Sequence, residues 1–293
     1  MVNNGKEDDM SKILDGKQTA ADKRAAIKRD IDRLKQETGV EPGLAVILVG
    51  DDPASAIYVK NKEKACRDVG IESSTYYLPA DVSAGDLLML IDTLNEDDGI
   101  HGILCQLPLP AHLDTQQVLD RIHPDKDVDG FHPLNAGRLA LGRDCLMPCT
   151  PAGIMEILDH YNLDPAGRHC VIVGRSTLVG KPLIQMMLSR DATVTVAHSK
   201  TKDLPDLCRS ADILVAAAGR PGLITKEHIR PGAWVIDVGI NRTADGKVCG
   251  DVCAAAADSA ADYYTPVPGG IGPMTITMLL NNTVRAFRRI LNR

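Results

Sequence analysis

Between residues 18 and 37, apolar side chains recur at Ala21, Ala25, Ile27, Ile31 and Leu34 among charged neighbours, a spacing that predicts an amphipathic helix. The period then changes. Leu44-Ala45-Val46-Ile47-Leu48-Val49 is an unbroken apolar run closed by Gly50, and it reads as a strand buried on both faces. Asp51-Asp52-Pro53-Ala54-Ser55 carries turn and helix-start residues, which predicts a helix over 56–69 stopped by Gly70. A strand over 74–78, a helix over about 86–94 and the strand Gly102-Ile103-Leu104-Cys105 follow. Strands alternating with helices predict an α/β class with a parallel sheet covered on both faces.

A second alternating series starts near Pro151. It comprises a helix over 153–160 and a strand over 169–173, then a helix over 181–189 and strands over 193–197, 212–216 and 234–238. This progression is Rossmann-like. A final helix is expected over 274–291. The predicted organisation is an N-terminal αβα parallel-sheet domain, 10–149 plus 274–293, and a C-terminal Rossmann-like domain, 150–273. The boundary falls at Cys149-Thr150-Pro151, the last helix returns to the first domain, and a cleft lies between the two. Residues 1–9 read as a disordered leader.

The bulk numbers narrow the function. At 293 residues the chain has room for two domains, and 44% hydrophobic with 25% charged residues is the composition of a soluble globular protein. A net charge of −6 and scarce aromatics argue against a nucleic-acid partner. No apolar run reaches a membrane span, and the acidic start lacks signal-peptide order, so a cytoplasmic location without membrane partners is expected. None of the eight cysteines forms a C-x-x-C pair, and several sit in strand-like runs, which favours reduced, buried thiols over disulfides. Cys249, Cys253 and a distant His fit no strong zinc spacing, so no metal is expected.

The densest chemical signal is Pro266-Val267-Pro268-Gly269-Gly270-Ile271-Gly272-Pro273-Met274-Thr275. Proline and glycine together make a shaped loop that a flat ligand can approach, or else a rigid hinge. The strand over 169–173 ends in Gly174-Arg175-Ser176-Thr177-Leu178-Val179-Gly180-Lys181-Pro182, a glycine turn of the kind that seats a pyrophosphate on a helix N-terminus. It is not a P-loop, because five residues separate the glycines and Pro182 stands where a metal-binding hydroxyl belongs. The next strand ends in His198-Ser199-Lys200. There is no acid there for a ribose 2′-hydroxyl, and with Arg175 nearby the set suits a 2′-phosphate, so NADP is expected over NAD.

Tyr58 and Lys62 are four apart on a predicted helix and share a face. A lysine in a partly desolvated cleft can shuttle protons, although such a pair also arises by chance. In short-chain dehydrogenases a Tyr-x-x-x-Lys pair follows the glycine turn; here it precedes it. Gln106, at a strand's carboxyl end in Gln106-Leu107-Pro108-Leu109-Pro110, is placed to orient a lysine without adding charge. A carboxylate in Lys126-Asp127-Val128-Asp129-Gly130-Phe131 could accept from pterin N–H groups, or each of these could serve as a turn or cap residue.

Taken in order, Tyr58-Val59-Lys60-Asn61-Lys62, the Gln106 segment, the Asp129 segment, Gly174-Arg175-Ser176 and the 266–275 loop resemble the bifunctional methylenetetrahydrofolate dehydrogenase/methenyltetrahydrofolate cyclohydrolase family. The resemblance covers nearly the whole chain. It implies NADP-dependent oxidation of 5,10-methylenetetrahydrofolate and hydrolysis of the methenyl product to 10-formyltetrahydrofolate, in one-carbon metabolism and purine biosynthesis. It implies Lys62 as the general acid/base, held by Gln106, with Tyr58 stacked on the substrate and Asp129 anchoring the pterin. Leu107, Pro268 and Gly272 would also line the substrate. Arg175 and Ser199 would take the 2′-phosphate, with Gly174, Ser176, Thr150 and Ile240 along the cofactor. A homodimer is implied as well. The rival readings are a dehydrogenase without hydrolysis or with an NAD preference, and a non-catalytic dinucleotide sensor.

Overall fold

The computed structural model describes residues 12–243 and 245–291; the expected leader over 1–9 lies outside them. In chain order the elements are β1 (Lys12–Ile13), α1 (Gly16–Thr38), β2 (Gly43–Val49), α2 (Pro53–Val69), β3 (Glu72–Leu78), α3 (Ala84–Glu96), β4 (Gly102–Cys105), α4 (Thr115–Arg121), α5 (Pro133–Ala140), α6 (Cys149–His160), β5 (His169–Val173), α7 (Gly180–Leu188), β6 (Thr193–Ala197), α8 (Leu204–Arg209), β7 (Ile213–Ala216), β8 (Ala233–Asp237), β9 (Asn241–Arg242), β10 (Val248–Cys249), α9 (Ala254–Ala260), β11 (Ala261–Tyr264) and α10 (Ile271–Leu291). They divide into two compact units, one of Ala20–Gly153 with residues 274–291, the other of residues 12–19 with Ile154–Pro273.

The first unit is built on a parallel sheet in the order β3-β2-β4. Every residue of the central β2 is buried, as its unbroken apolar run requires. Helix α2 starts where Asp52 accepts from the Ser55 amide at 2.7 Å, and Pro53 occupies a position whose missing N–H costs nothing. Gly70 ends it in the left-handed region, at φ 91°. Ser55, Val59, Lys62, Ala65, Cys66 and Val69 form its buried stripe. As expected, the final helix packs in this unit. Phe287 of α10 meets His101 edge-on at 4.6 Å, Arg288 pairs with Asp30, and Arg285 and Arg289 pair with Asp144.

The second unit carries a six-stranded parallel sheet, β1-β11-β8-β7-β5-β6. Its core joins Val171, Leu214, Val235, Ile224 and Ala257. Three features differ from the sequence expectation. Lys12–Ile13, assigned above to the first domain, pairs with β11 of this sheet. The helix expected from residue 153 begins at Cys149, so Cys149-Thr150-Pro151 forms the first turn of α6, where Pro151 is tolerated. The shaped loop is short, because α10 begins at Ile271 and takes in Pro273 within its first turn. Val267–Pro268 is cis and Gly269 has φ +111°. The helices α4, α5, α8 and α9 span eight residues or fewer, too short for a periodicity to stand out.

Candidate active site

In each sheet one strand, β2 or β5, is flanked by the two that follow it in the chain, one on either side. The chain therefore reverses its direction of travel at that strand, and a crevice opens at the carboxyl ends. Both candidate sites lie at such a point.

In the first unit, β4 ends at Cys105 and the next amide, Gln106, still donates to the Ile47 carbonyl of β2 at 2.9 Å. That bond holds the Gln106 backbone at the crevice. Its side chain accepts from Lys62 Nζ at 2.9 Å, and its Nε2 donates to the Leu107 carbonyl at 2.7 Å. The glutamine orientation is thereby set, since its oxygen faces the only group of the two that donates. Lys62 is buried on α2, whereas Tyr58, one turn earlier on the same helix, is 44% exposed. Its ring is available for stacking.

Asp129 follows β4 through the loop that begins at Lys126. Asp127, buried, accepts from the amides of Phe131 (3.2 Å) and His132 (2.8 Å) and from Asn135 Nδ2 (3.0 Å). Lys126 Nζ donates to the Leu94 and Asp97 carbonyls at 3.1 and 2.8 Å. Gly130 has φ +76°, and a Cβ there would stand 2.5 Å from the Met147 carbonyl carbon, so no other residue fits. Burial pushes the Asp129 carboxyl up to about 6, offset by the nearby Lys62 charge and reinforced by Asp127. The structure thus joins Lys62, Gln106 and Asp129 in one electrostatic neighbourhood.

In the second unit, Val173, Gly174, Arg175, Ser176, His198, Ser199, Thr201, Ala217, Ala218 and Arg220 line a cavity of about 430 Å³. Gly174 has φ +139°, and a Cβ there would press into the Ala217 carbonyl, so the strand end must be glycine. Ser176 Oγ accepts from the Val179 and Gly180 amides at 3.1 and 3.4 Å, which shapes the turn into α7. Arg175 and Ser199 are exposed at this cavity, with Arg220 as a further cation, and no carboxylate lines it. The glycine cradle and the cations fit a phosphorylated dinucleotide.

Thr150 and Ile240 do not line this cavity. Thr150 Oγ1 meets Thr275 Oγ1 at 3.0 Å in the first unit, and Ile240, 56% exposed, lies beside Gly272 in the second. Pro268 is exposed on the loop before α10.

Two acids escaped the sequence reading. Asp251 accepts from the amides of Ala218 (2.6 Å), Gly219 (2.9 Å) and Arg220 (2.8 Å) and from Asn241 Nδ2 (2.8 Å). Asp237 accepts from the amides of Gly239, Asp251 and Val252, and its carboxyl is pushed up to about 6 by burial. Asp251 thereby fixes the 218–220 turn, which contributes Ala218 and Arg220 to the cavity lining. The signal was an acid beside glycine at a strand end, in Asp237-Val238-Gly239 and Gly250-Asp251.

The family model described as tetrahydrofolate dehydrogenase/cyclohydrolase, catalytic domain, matches residues 14–129, and that of its NAD(P)-binding domain matches 148–291. Bifunctional protein FolD of Moorella thermoacetica is 56% identical over 279 residues, covering 95% of this chain and 99% of the relative. The crystal structure of the bifunctional enzyme FolD, methylenetetrahydrofolate dehydrogenase/cyclohydrolase, from Campylobacter jejuni superposes with a TM-score of 0.94 at 48% identity, covering 95% of this chain and 99% of that one. FolD of Trypanosoma brucei, solved with NADP cofactor and an inhibitor, gives a TM-score of 0.93 at 38% identity, covering 97% and 99%.

Proposed function

The chain belongs to the tetrahydrofolate dehydrogenase/cyclohydrolase family, and from that premise we propose how its own residues divide two reactions. The enzyme oxidises 5,10-methylenetetrahydrofolate to 5,10-methenyltetrahydrofolate with NADP+ and hydrolyses the product to 10-formyltetrahydrofolate. The observation that carries the division is the buried Lys62–Gln106 hydrogen bond at a strand-end crevice, with Asp129 in its field.

NADP+, when bound, accepts the hydride. Gly174 and Ser176 give its phosphates close access to backbone, and Arg175 and Ser199 meet the 2′-phosphate. Ile240 would contact it on the nicotinamide side, and Thr150 would lie along the cofactor. On the folate side, Tyr58 stacks against the substrate, Asp129 accepts from the pterin N–H groups, and Leu107, Pro268 and Gly272 complete the lining. Lys62 moves the proton in the hydrolytic step, and Gln106 holds its amine in place. After addition of methylenetetrahydrofolate and NADP+, absorbance should show NADPH with a transient methenyl signal. Lasting methenyl would leave a dehydrogenase alone, and no signal would leave a binder.

Two further outcomes test the assignments. Arg175→Ala should raise KM for NADP+ about tenfold, the loss of a charge-assisted hydrogen bond, with KM for NAD+ unchanged. Steady-state kinetics with the two dinucleotides checks this, and an equal rise for both removes Arg175 from the 2′-phosphate. The Asp129 carboxyl, at about 6, is ionised above that pH and protonated below it. KM for folate should therefore stay flat above pH 6 and rise as pH falls through it. Asp129→Asn should abolish that inflection; its persistence in the variant would assign it elsewhere.

The finer reading is a cytoplasmic homodimer whose 10-formyl product serves purine biosynthesis, with neither nucleic acid nor membrane as partner. The net charge of −6 speaks against a nucleic-acid partner, and among the described residues no helix is long and apolar enough to cross a membrane.

A further inference from the structure

Asn282 lies on α10 and is 1% exposed, among the buried Met278, Leu279 and Ala286 of the same helix. Its Nδ2 donates to the carbonyls of Val128 and Met147, both at 2.8 Å. Val128 immediately precedes Asp129, and Met147 lies directly under Gly130. The Cys149 thiol adds a second bond to the Val128 carbonyl at 3.3 Å, and its sulfur stands 4.0 Å from Asp129 Oδ1. Asn282 Oδ1 is buried and has no hydrogen-bond partner.

That orphan oxygen is informative. A buried acceptor without a donor is a cost that leucine, of nearly the same shape, would avoid. What asparagine supplies and leucine cannot is a pair of N–H groups aimed at two carbonyls. The reversed amide would set its oxygen against both, so the orientation is fixed by the partners. Holding the Val128 carbonyl fixes the Val128–Asp129 peptide plane, and with it the direction in which the Asp129 side chain leaves the backbone. The rest of the loop is tied by other groups: Asp127 to Phe131, His132 and Asn135, and Lys126 to Leu94 and Asp97. The base is rigid, because α10 is clamped by Phe287 on His101 and by its arginines on Asp30 and Asp144.

We propose that Asn282 is a positioning residue for folate binding, acting through the Val128 backbone to aim Asp129; this rests on the pterin-anchoring role given to Asp129 above. Asn282→Leu removes both donors at nearly constant shape. KM for methylenetetrahydrofolate should rise about tenfold, as when hydrogen bonds to a positioned polar group are lost, while KM for NADP+ and kcat at saturating folate hold within about twofold. In an Asp129→Ala background the same substitution should leave the folate KM unchanged, because the group it aims is gone. An unchanged folate KM in Asn282→Leu, or an equal rise in both backgrounds, overturns the proposal. If Asp129→Ala by itself leaves the folate KM at the parent value, the anchoring role fails instead, and the single variants tell the two apart. Should the leucine variant not fold, Asn282→Ser, which withdraws the amide without adding bulk, completes the same cycle.

Discussion

Lys62→Met should hydrolyse methenyltetrahydrofolate about 10²–10⁴-fold more slowly than the parent, the range that positioned proton transfer contributes. The change is local. Methionine matches the lysine stem in length and suits a buried site, so α2 should keep its stripe of Ser55, Val59, Ala65 and Cys66. Gln106 Oε1 loses its donor, and Asp129 loses the cation that offsets its burial, so its carboxyl rises further. Weaker folate binding near neutral pH should accompany the lost hydrolysis. NADP+ binding should not change, since the cavity around Gly174 belongs to the other unit. Hydride transfer should survive at saturating folate, because the folate nitrogens stabilise the developing cation without a protein acid. Single-turnover decay of methenyl absorbance measures the effect, and decay at the parent rate removes Lys62 from the proton path.

Gly174→Ala should weaken NADP+ binding at least about 100-fold, the loss of roughly 3 kcal/mol of binding energy. The new methyl meets the Ala217 carbonyl, a backbone atom with nowhere to swing, at a φ of +139° that alanine rarely adopts. Ala217 also donates to the Val173 carbonyl at 2.8 Å, so relief requires parting β5 from β7 at the crevice that admits the cofactor. A stability loss of about 2 kcal/mol should follow, which for a unit of this size lowers Tm by roughly 4–8 °C. Hydrolysis of methenyl substrate should persist, since the Lys62–Gln106 pair lies in the other unit. Fluorescence titration with NADPH and a thermal melt together test it. Parent-like affinity would show that the strand end yields and that the glycine is not required there.

Much of the architecture was legible because parallel strands are buried on both faces. β2, β4, β5 and β7 appear as short apolar runs with no competing helical period, and strands over 102–105, 169–173 and 193–197 have the bounds the pattern predicts. Helix α2 was bounded by Asp52, Pro53 and Gly70, which act through local backbone chemistry alone. Elements decided by partners far along the chain were not legible. β1 is two residues long and exists only because β11, some 250 residues later by sequence number, offers it an edge. Helix α6 begins at Cys149 rather than near Gly153, since threonine and proline in a first turn carry no apolar period of their own.

The chain alone determined which chemistry is available: a tyrosine and a lysine four apart on one helix, a glycine at a strand end, cations without an acid after β6, and the order that matches a family. Only the tertiary structure decided which groups act together. Lys62 meets Gln106 across 44 residues because β2 and β4 are neighbours, and Asn282 reaches the Asp129 loop across 154 because α10 packs beneath it. Local backbone preferences act over a few residues and leave marks in composition. A hydrogen bond between distant segments leaves none, because any donor would read the same until packing brings its acceptor within 3 Å.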